Sequence, residues 1–403
     1  MVVNYRISLT ARALAMAWRG RPQLEGAARA LHPAAQAVLA QVRQAQALLE
    51  SVQPLTEEKL IFCRSLAARA QRLGARPGRA KVGAVGDTDF GGVPVRLYRP
   101  PSPGIHPLHL YFHGGAFLFG SPKDPDDDAY CRHRCVDADV IVASVDYRLA
   151  PEHRFPAGVE DCYTALAWAA AHAGDLGADP ARLTVGGASS GGNMAAAVAL
   201  MARDRGGPPL LLQLLEIPGA DLTKTSRAWR DPGGVKDTTR EADLALVGFY
   251  LARPEDIVHP YASPLMAPRL DGVAPAYVMS AEFDPRRDES EAYVARLQDA
   301  GVAAVARTMA GHVHGSYMAY ETWDAAAAWK DEANAVLRAA NAGAEASCLA
   351  AWADGQATDG PRRRGSEDDK GDPGDHHEDG PRRRGSEGAM DPPAPGRPAL
   401  GPG

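Results

Sequence analysis

The 403-residue sequence contains no apolar run long enough to cross a membrane. Near the N-terminus, Arg6, Arg12 and Arg19 interrupt the apolar residues, so the continuous hydrophobic stretch of a signal peptide is missing. Stable membrane insertion is therefore not expected, and the sequence predicts a cytoplasmic protein.

Cysteine is also sparse. The five cysteines are Cys63, Cys131, Cys135, Cys162 and Cys348. They are scattered and form no C-x-x-C pair, so neither a disulfide framework nor a zinc site is expected. Reduced, buried thiols are predicted instead, and no metal site is proposed from the sequence.

Positive charge is outnumbered in the main part of the chain, where residues 81–340 hold 24 basic and 34 acidic residues. The formal net charge is −6, yet residues 1–80 carry 12 basic and 4 acidic residues, and residues 341–403 carry 8 basic and 12 acidic ones. A nucleic-acid-binding protein would need a basic face on its main domain. Nucleic acid is therefore not an expected partner, and the basic N-terminal segment is expected to dock on the acidic middle of the chain.

Residues 1–80 are predicted to be helical. Apolar residues recur at helical spacing over residues 7–18, and Thr56 followed by Glu57 and Glu58 has the pattern of a helix start. We interpret this segment as a helical cap over a cleft. A helical extension on the side of the domain and a basic helix lying on a membrane surface are the alternatives.

Residues 81–342 alternate strand and helix patterns. A hairpin is predicted near residues 81–98, and a helix at 126–136 precedes a strand at 137–146. Alternation of this kind favours an α/β domain whose mainly parallel sheet is covered by helices on both faces.

Residues 343–403 change in character. The segment DGPRRRGSE at 359–367 recurs unchanged at 379–387, and the spacer between the copies and the ending are rich in Gly, Pro, Asp and His. Such a composition cannot bury enough apolar surface to fold, so a disordered tail is predicted.

The chemistry is predicted to centre on Ser189. The segment Gly187-Ala-Ser-Ser-Gly191 lies between an apolar strand pattern and a helix pattern, which is the context of a nucleophile elbow. Small residues two positions before and after the serine allow the strand and the helix to approach closely. The helix N-terminus behind the serine favours developing negative charge.

A serine nucleophile needs a base and an acid that orients the base. Asp284 directly follows a predicted strand and is the candidate acid, with Glu282 and Asp288 as rivals. His314 follows the last predicted strand and is the candidate base. It is preferred to His312 because the glycine after it lets the loop turn tightly.

The sequence also contains a candidate segment for the backbone donors of an oxyanion hole. His113-Gly114-Gly115-Ala116 directly follows a strand, and its small residues expose backbone N–H groups. The N–H group of Ser190, the residue after the nucleophile, would be a further donor.

These motifs together resemble the hormone-sensitive-lipase-like family of α/β-hydrolases, the bacterial serine carboxylesterases, over about residues 31–340. The matching segments are HGGA at 113–116, DYRLAPEHRFP at 146–156, GASSGG at 187–192, SPL at 263–265, DPRRDE at 284–289 and HG at 314–315. The resemblance implies Ser189 as nucleophile, Asp284 as acid and His314 as base. It also implies an oxyanion hole of backbone N–H groups from Gly115, Ala116 and Ser190.

The same resemblance implies an α/β-hydrolase fold with an eight-stranded, mainly parallel sheet, an N-terminal helical cap and no cofactor. The expected partner is a small-molecule ester. Ala116 stands where the family usually has a third glycine, and its methyl group is expected to narrow the acyl pocket. Ala188 and Ser190 replace the usual aspartate and alanine, and Ser316 replaces the usual aromatic residue after His-Gly.

The expected activity is hydrolysis of short-chain carboxylic esters through an acyl-enzyme intermediate. The same machinery would serve a deacetylase or amidase acting on an acylated small metabolite, and the sequence does not separate the two. A non-catalytic ligand-binding protein on this fold would be expected to have a broken triad. The sequence leaves the oligomeric state open, with a homodimer among the options.

Overall fold

The computed structural model of the protein describes residues 31–51, 55–73, 80–230 and 238–342. The helix predicted within residues 7–18 and the tail predicted at 343–403 lie outside these ranges, and the predicted domain boundaries stay predictions. Within the described ranges, no helix has both the length and the apolar character needed to span a bilayer.

Strands and helices alternate along the described chain. The strands are β1 (Ala84–Asp89), β2 (Pro94–Arg99), β3 (His106–Phe112), β4 (Ile141–Val145), β5 (Ala178–Ala188), β6 (Leu212–Glu216), β7 (Ala276–Phe283) and β8 (Ala304–Val313). The helices are α1 (Pro33–Ser51), α2 (Glu57–Leu73), α3 (Pro125–Ala138), α4 (Ala157–Ala171), α5 (Ser190–Asp204), α6 (Arg227–Arg230), α7 (Arg240–Tyr250), α8 (Arg287–Asp299) and α9 (Asp324–Asn341).

The eight strands form one sheet in the order β1-β2-β4-β3-β5-β6-β7-β8. Strand β2 runs antiparallel to both β1 and β4, and the other neighbouring pairs are parallel. The carboxyl ends of β5, β7 and β8 therefore lie at the same edge of the sheet, where ligand sites of α/β proteins form. The predicted α/β-hydrolase fold with a mainly parallel eight-stranded sheet is confirmed.

The sheet is buried on both faces, as alternation along β3 illustrates. Leu108, Leu110 and Phe112 belong to one hydrophobic cluster, whereas Tyr111 belongs to another on the opposite face. Helices α4, α5 and α8 supply residues to the first cluster, and α3 and α9 supply residues to the second. Because successive side chains of a strand point to opposite faces, this division is what a sheet between two helical layers requires.

A fully buried ion pair lies at the end of β6. Arg134 NH2 donates to Glu216 Oε2 at 2.9 Å, and neither side chain is exposed. The other carboxylate oxygen accepts from Tyr130 OH at 2.6 Å and from Trp329 Nε1 at 3.0 Å. A buried charge needs such partners, so these contacts fix the end of β6 firmly.

The described part of the N-terminal segment packs on the domain. Leu31, Ala35 and Leu39 form a cluster with Val313, at the end of β8, and with Trp323, just before α9. In α2, Leu60 joins the main core. The predicted N-cap is also confirmed, since Thr56 Oγ1 accepts from the Lys59 N–H group at 3.3 Å.

The predicted secondary structure differs from the structure at one strand boundary and in one missed helix. The strand predicted at 137–146 begins only at Ile141, because α3 continues to Ala138 and ends at Asp139. Asp139 has a left-handed backbone (φ 54°), and its N–H group bonds to the Cys135 carbonyl. Helix α7 was not predicted, although Thr239 caps it by accepting from the Ala242 N–H group at 3.1 Å.

Candidate active site

Ser189 lies at the sharp junction between β5 and α5. Its backbone has φ 56° and ψ −116°, an uncommon conformation for a residue other than glycine. Its N–H group donates to the Glu216 carbonyl at 2.9 Å, which ties the junction to β6. A non-glycine residue held in such a conformation indicates a site where strain has a function.

The two flanking glycines are required by close approach. A Cβ atom on Gly191 would lie 1.9 Å from the Phe112 carbonyl oxygen, and one on Gly187 would lie 2.3 Å from the same oxygen. No side chain fits at such distances without moving backbone. Small residues were expected at both positions so that the strand and the helix could approach closely. The short distances to the Phe112 carbonyl oxygen agree with this expectation.

We expect Gly191→Ala to lower the free energy of unfolding by about 3 kcal/mol, at the upper end of overpacking costs, or to prevent folding. Gly174→Ala is the matched control, because a Cβ atom there would meet nothing within 4 Å. Thermal denaturation of the purified variants measures both. Equal midpoints for the two variants would contradict the steric argument.

His314 connects Ser189 to Asp284. Its Nε2 atom lies 3.0 Å from Ser189 Oγ, and its Nδ1 atom lies 2.6 Å from Asp284 Oδ2. Gly315 follows with a left-handed backbone (φ 78°), which turns the loop directly after the histidine. If Nδ1 carries the proton and donates to the carboxylate, Nε2 is free to accept the serine proton.

Asp284 is held as a carboxylate. Its side chain is 1% exposed, and Oδ1 accepts from the Arg286 N–H group at 2.9 Å and from Arg286 NH1 at 3.3 Å. Burial acts to raise the pKa of Asp284, but His314 and Arg286 outweigh it and hold that pKa below its ordinary value. The carboxylate is thus charged at neutral pH and can orient the imidazole.

The rival acids are engaged elsewhere. Glu282 Oε2 accepts from the Gly311 N–H group at 2.8 Å, at the bend before the histidine loop. Asp288 Oδ2 accepts from the Ala228 N–H group at 2.9 Å, at the start of α6. Of the three candidate acids, the structure brings only Asp284 to His314.

The rival base, His312, is part of the core. Its side chain is buried and stacks on Trp323 with ring centroids 4.2 Å apart. Its Nδ1 atom lies 2.8 Å from Ser316 Oγ, so the serine that replaces the usual aromatic residue is its partner. Burial lowers the pKa of His312 to about 4, which keeps the ring neutral at pH 7.

The candidate oxyanion loop lies beside the nucleophile. A Cβ atom on Gly114 would lie 3.6 Å from Ser189 Cβ. Gly115 has φ 128°, and a Cβ atom there would lie 2.1 Å from the Phe119 carbonyl oxygen. Ala116 has φ 54°, so an alanine occupies a left-handed conformation that glycine would adopt more easily.

Tyr147 supports this loop from behind. It stacks on the buried ring of His113 with centroids 4.3 Å apart, and its hydroxyl donates to the His113 carbonyl at 2.7 Å. The Ala150 N–H group donates to the Phe117 carbonyl at 3.1 Å. The segment after β4 thus fixes the backbone that precedes and follows the two loop glycines.

Ser189 opens into a solvent-accessible cleft whose empty space, including open solvent at its mouth, is about 370 Å³. Apolar lining comes from Phe117, Leu222, Leu246 and Val247, and charged lining comes from Lys224, Asp243 and Arg286. Helix α7 supplies three of these residues. Sequence reasoning missed all three charged residues, although the Thr239 cap and the acidic first turn of α7 were signals for the helix that carries Asp243.

Comparison with known proteins agrees with this architecture. Residues 109–318 match the family profile of the α/β-hydrolase fold. LipN of Mycobacterium tuberculosis, a carboxylic ester hydrolase, is 43% identical over 256 residues, which are 62% of this chain and 67% of LipN. NlhH of the same organism, a carboxylesterase, is 40% identical over 240 residues, which are 58% of this chain and 73% of NlhH.

A solved structure extends the likeness to three dimensions. The hyperthermophilic esterase from the archaeon Pyrobaculum calidifontis superposes with a TM-score of 0.66 and is 33% identical, covering 73% of this chain and 96% of that one. The family profile spans more than half of the chain, and the relatives share the predicted chemistry in name. The chain therefore belongs to the α/β-hydrolase fold family, in its hormone-sensitive-lipase-like branch, and is a carboxylesterase.

Proposed function

We propose that the protein hydrolyses short-chain carboxylic esters through an acyl-enzyme formed on Ser189. The observation that carries the proposal is the pair of contacts at His314, 3.0 Å to Ser189 Oγ and 2.6 Å to Asp284 Oδ2. One imidazole within hydrogen-bonding distance of both groups is the arrangement that general-base activation of a serine requires.

In the first half-reaction, Ser189 Oγ attacks the ester carbonyl while His314 Nε2 takes the hydroxyl proton. The same nitrogen then gives that proton to the departing alkoxide, so the alcohol leaves neutral and the acyl group stays on Ser189. In the second half-reaction, His314 takes a proton from water, and the hydroxide attacks the acyl carbon. The acid is released when Ser189 recovers its proton from His314. Asp284 stabilises the imidazolium in both halves without accepting the proton.

Negative charge on the carbonyl oxygen needs donors. We propose the backbone N–H groups of Gly115, Ala116 and Ser190, with the N-terminus of α5 adding its positive dipole end. The position of Gly114 next to Ser189 supports this assignment. The scheme requires no cofactor, because side chains and backbone groups of the chain supply the nucleophile, the base and the oxyanion donors.

We also propose that residues 1–80 act as a cap on the catalytic domain at 81–342. Helix α1 packs against the end of β8, which leads into His314. In α2, Arg64 NH1 donates to the Leu118 carbonyl at 3.3 Å and to the Ala150 carbonyl at 3.2 Å. These contacts hold both loops on which the proposed chemistry depends.

The direct test is covalent labelling with diethyl p-nitrophenyl phosphate, which phosphorylates activated serines. The expected result is one diethylphosphoryl group on the tryptic peptide that contains Ser189, with loss of p-nitrophenyl acetate hydrolysis in proportion to labelling. Labelling confined to another serine would reject the proposed nucleophile. Turnover of acetanilide at a rate comparable with phenyl acetate would instead favour the amidase.

The acyl pocket is expected to prefer short chains. A buried methylene contributes about 0.8 kcal/mol only where a pocket holds it, and the Ala116 methyl group lines the cleft beside Ser189. In a series of p-nitrophenyl esters, kcat/KM should peak at acetyl to butanoyl. Ala116→Gly should move the optimum to longer chains, whereas Ala181→Gly, at an exposed position of β5, should not. A kcat/KM that rises steadily to the dodecanoyl ester would contradict this prediction.

A further inference from the structure

Lys224 is a buried cation in the wall of the cleft that holds Ser189. Its side chain is only 2% exposed, yet it contributes to the cleft lining. Its backbone is left-handed (φ 53°), a conformation that is strained for a residue other than glycine. Such a conformation persists only where the surroundings enforce it, and it marks sites with a function.

The enforcing contacts come from α7. Arg240 Nε donates to the Lys224 carbonyl at 2.8 Å, and Arg240 NH2 approaches the Thr223 carbonyl at 3.4 Å. The same helix carries Asp243, whose Oδ2 atom lies 3.3 Å from Lys224 Nζ. Helix α7 therefore fixes both the backbone and the ammonium group of Lys224.

The charged wall has more donors than acceptors. Asp243 uses both oxygens, accepting from Arg286 NH2 at 2.7 Å through Oδ1 and facing Lys224 through Oδ2. Burial acts to raise the pKa of Asp243, but Arg286 and Lys224 hold it below its ordinary value, so the group is a carboxylate. An ammonium has three donors, and the two carboxylates that face Lys224 Nζ lie at 3.3 Å (Asp243) and 3.7 Å (Glu289), with the centre of the Trp229 ring 5.2 Å away.

The second carboxylate near Lys224 has its own donors. Glu289 Oε1 lies 3.7 Å from Lys224 Nζ, but it accepts from Trp229 Nε1 at 2.6 Å, and Oε2 accepts from the Asp221 N–H group at 3.2 Å. Burial raises the pKa of Glu289 to about 7.

The Lys224 ammonium lies beside Gly219, a lining residue of the cleft that has no side chain. A Cβ atom on Gly219 would lie 3.6 Å from Lys224 Nζ, so the absence of a side chain there leaves space in front of the ammonium. Gly219 and Ser189 both line the cleft. A substrate group that enters beside the nucleophile thus meets apolar side chains and a charged wall in which the Lys224 ammonium lies beside Asp243 and Arg286.

We propose that this cleft selects esters that carry a carboxylate, which Lys224 binds through its ammonium group. The proposal rests on the proposed function at Ser189 and adds the chemical class of the substrate. A carboxylate suits the site better than a neutral acceptor, because a hydrogen bond between two charged groups is stronger and shorter than a neutral one.

The test compares isosteric ester pairs on the full chain. On the acyl side, p-nitrophenyl hemisuccinate is compared with p-nitrophenyl levulinate, which has a methyl ketone in place of the carboxylate. On the alcohol side, 4-acetoxybenzoate is compared with its methyl ester. After subtraction of spontaneous hydrolysis, we expect the anionic member of one pair to have a kcat/KM about 10- to 100-fold higher. The pair that responds identifies the side of the ester that enters the cleft.

The preference should depend on Lys224. Lys224→Met keeps length and should lower the anionic-to-neutral ratio about 10-fold or more, whereas Lys224→Arg should retain most of it. Lys123→Met, at an exposed lysine that pairs with Asp87, is the matched control and should leave the ratio unchanged. If Lys224→Met does not fold, inhibition of levulinate-ester hydrolysis by glutarate, and not by pentanamide, tests the same site in the wild-type enzyme.

Two outcomes overturn the proposal. One is a wild-type enzyme that favours the neutral ester in both pairs, and the other is a preference for the anion that survives in Lys224→Met. In either case, neutral-ester hydrolysis together with labelling of Ser189 would leave the proposed function intact. Failure of neutral hydrolysis and of labelling would reject both proposals.

Discussion

Replacing Ser189 with alanine is expected to lower kcat for p-nitrophenyl acetate by about 10⁴- to 10⁶-fold. The variant loses the hydroxyl oxygen that lies 3.0 Å from His314 Nε2 and that attacks the carbonyl in the proposed mechanism. The backbone N–H groups proposed for the oxyanion hole remain, so a residual rate above that in water is expected.

The variant should still fold. Alanine adopts a positive φ elsewhere in this chain, at Ala116 with φ 54°, close to the 56° of Ser189. The Ser189 N–H bond to the Glu216 carbonyl does not depend on the side chain. Thermal midpoint and circular dichroism should match those of the wild type.

Ser102→Ala is the matched control, because Ser102 precedes β3 and lies at the opposite end of that strand from the active-site loops. It should keep full activity. A purified, folded Ser189→Ala protein with near-normal turnover, together with organophosphate labelling of another serine, would show that the nucleophile has been assigned to the wrong residue.

The parts of the site that could be predicted from sequence are those fixed by local backbone geometry. Gly187 and Gly191 flank Ser189 because a Cβ atom at either position would clash with the Phe112 carbonyl. Gly115 is fixed in the same way by the Phe119 carbonyl. Constraints of this kind leave short residue patterns at fixed spacing, and alternation of strands and helices orders those patterns along one sheet edge.

The charged wall of the cleft left no such pattern. Lys224, Asp243 and Arg286 come from three separate segments, and their pairing depends on how α7 packs. The same holds for the buried pair of Arg134 and Glu216, which are 82 positions apart in sequence. Buried charges follow from tertiary contacts, and neither periodicity nor propensity encodes a partner at that distance.

A helix end also could not be predicted from sequence where a polar residue adopts a left-handed backbone conformation. At Asp139, a left-handed conformation ends α3, whose last residue, Ala138, is two residues beyond the predicted end. Asp is one of the few residues that adopt this conformation readily, but it does so in a minority of cases. The C-terminal boundary of α3 thus depends on the backbone conformation of Asp139, which the pattern of apolar residues does not indicate.

Alanine substitutions at the two neighbouring histidines, His312 and His314, should have different effects on turnover and stability. His314→Ala is expected to lower kcat by about 10⁴-fold or more, because Ser189 loses its base and Asp284 loses the ring that it orients. His314 is 12% exposed, so added imidazole should reach the vacated space and restore part of the activity, which it would not do for a structural residue.

His312→Ala should have the opposite profile. It removes a buried ring that stacks on Trp323 and bonds to Ser316, so the free energy of unfolding should fall by about 2–4 kcal/mol. His314 would keep its contacts to Ser189 and Asp284, so kcat should stay within about threefold of the wild type, since an indirect change in packing removes no reacting group. Steady-state assays well below the midpoint of the less stable variant, combined with thermal denaturation, measure both effects. If His312→Ala abolished turnover and responded to imidazole while His314→Ala stayed active, the base and the placement of the loop around it would both be wrong.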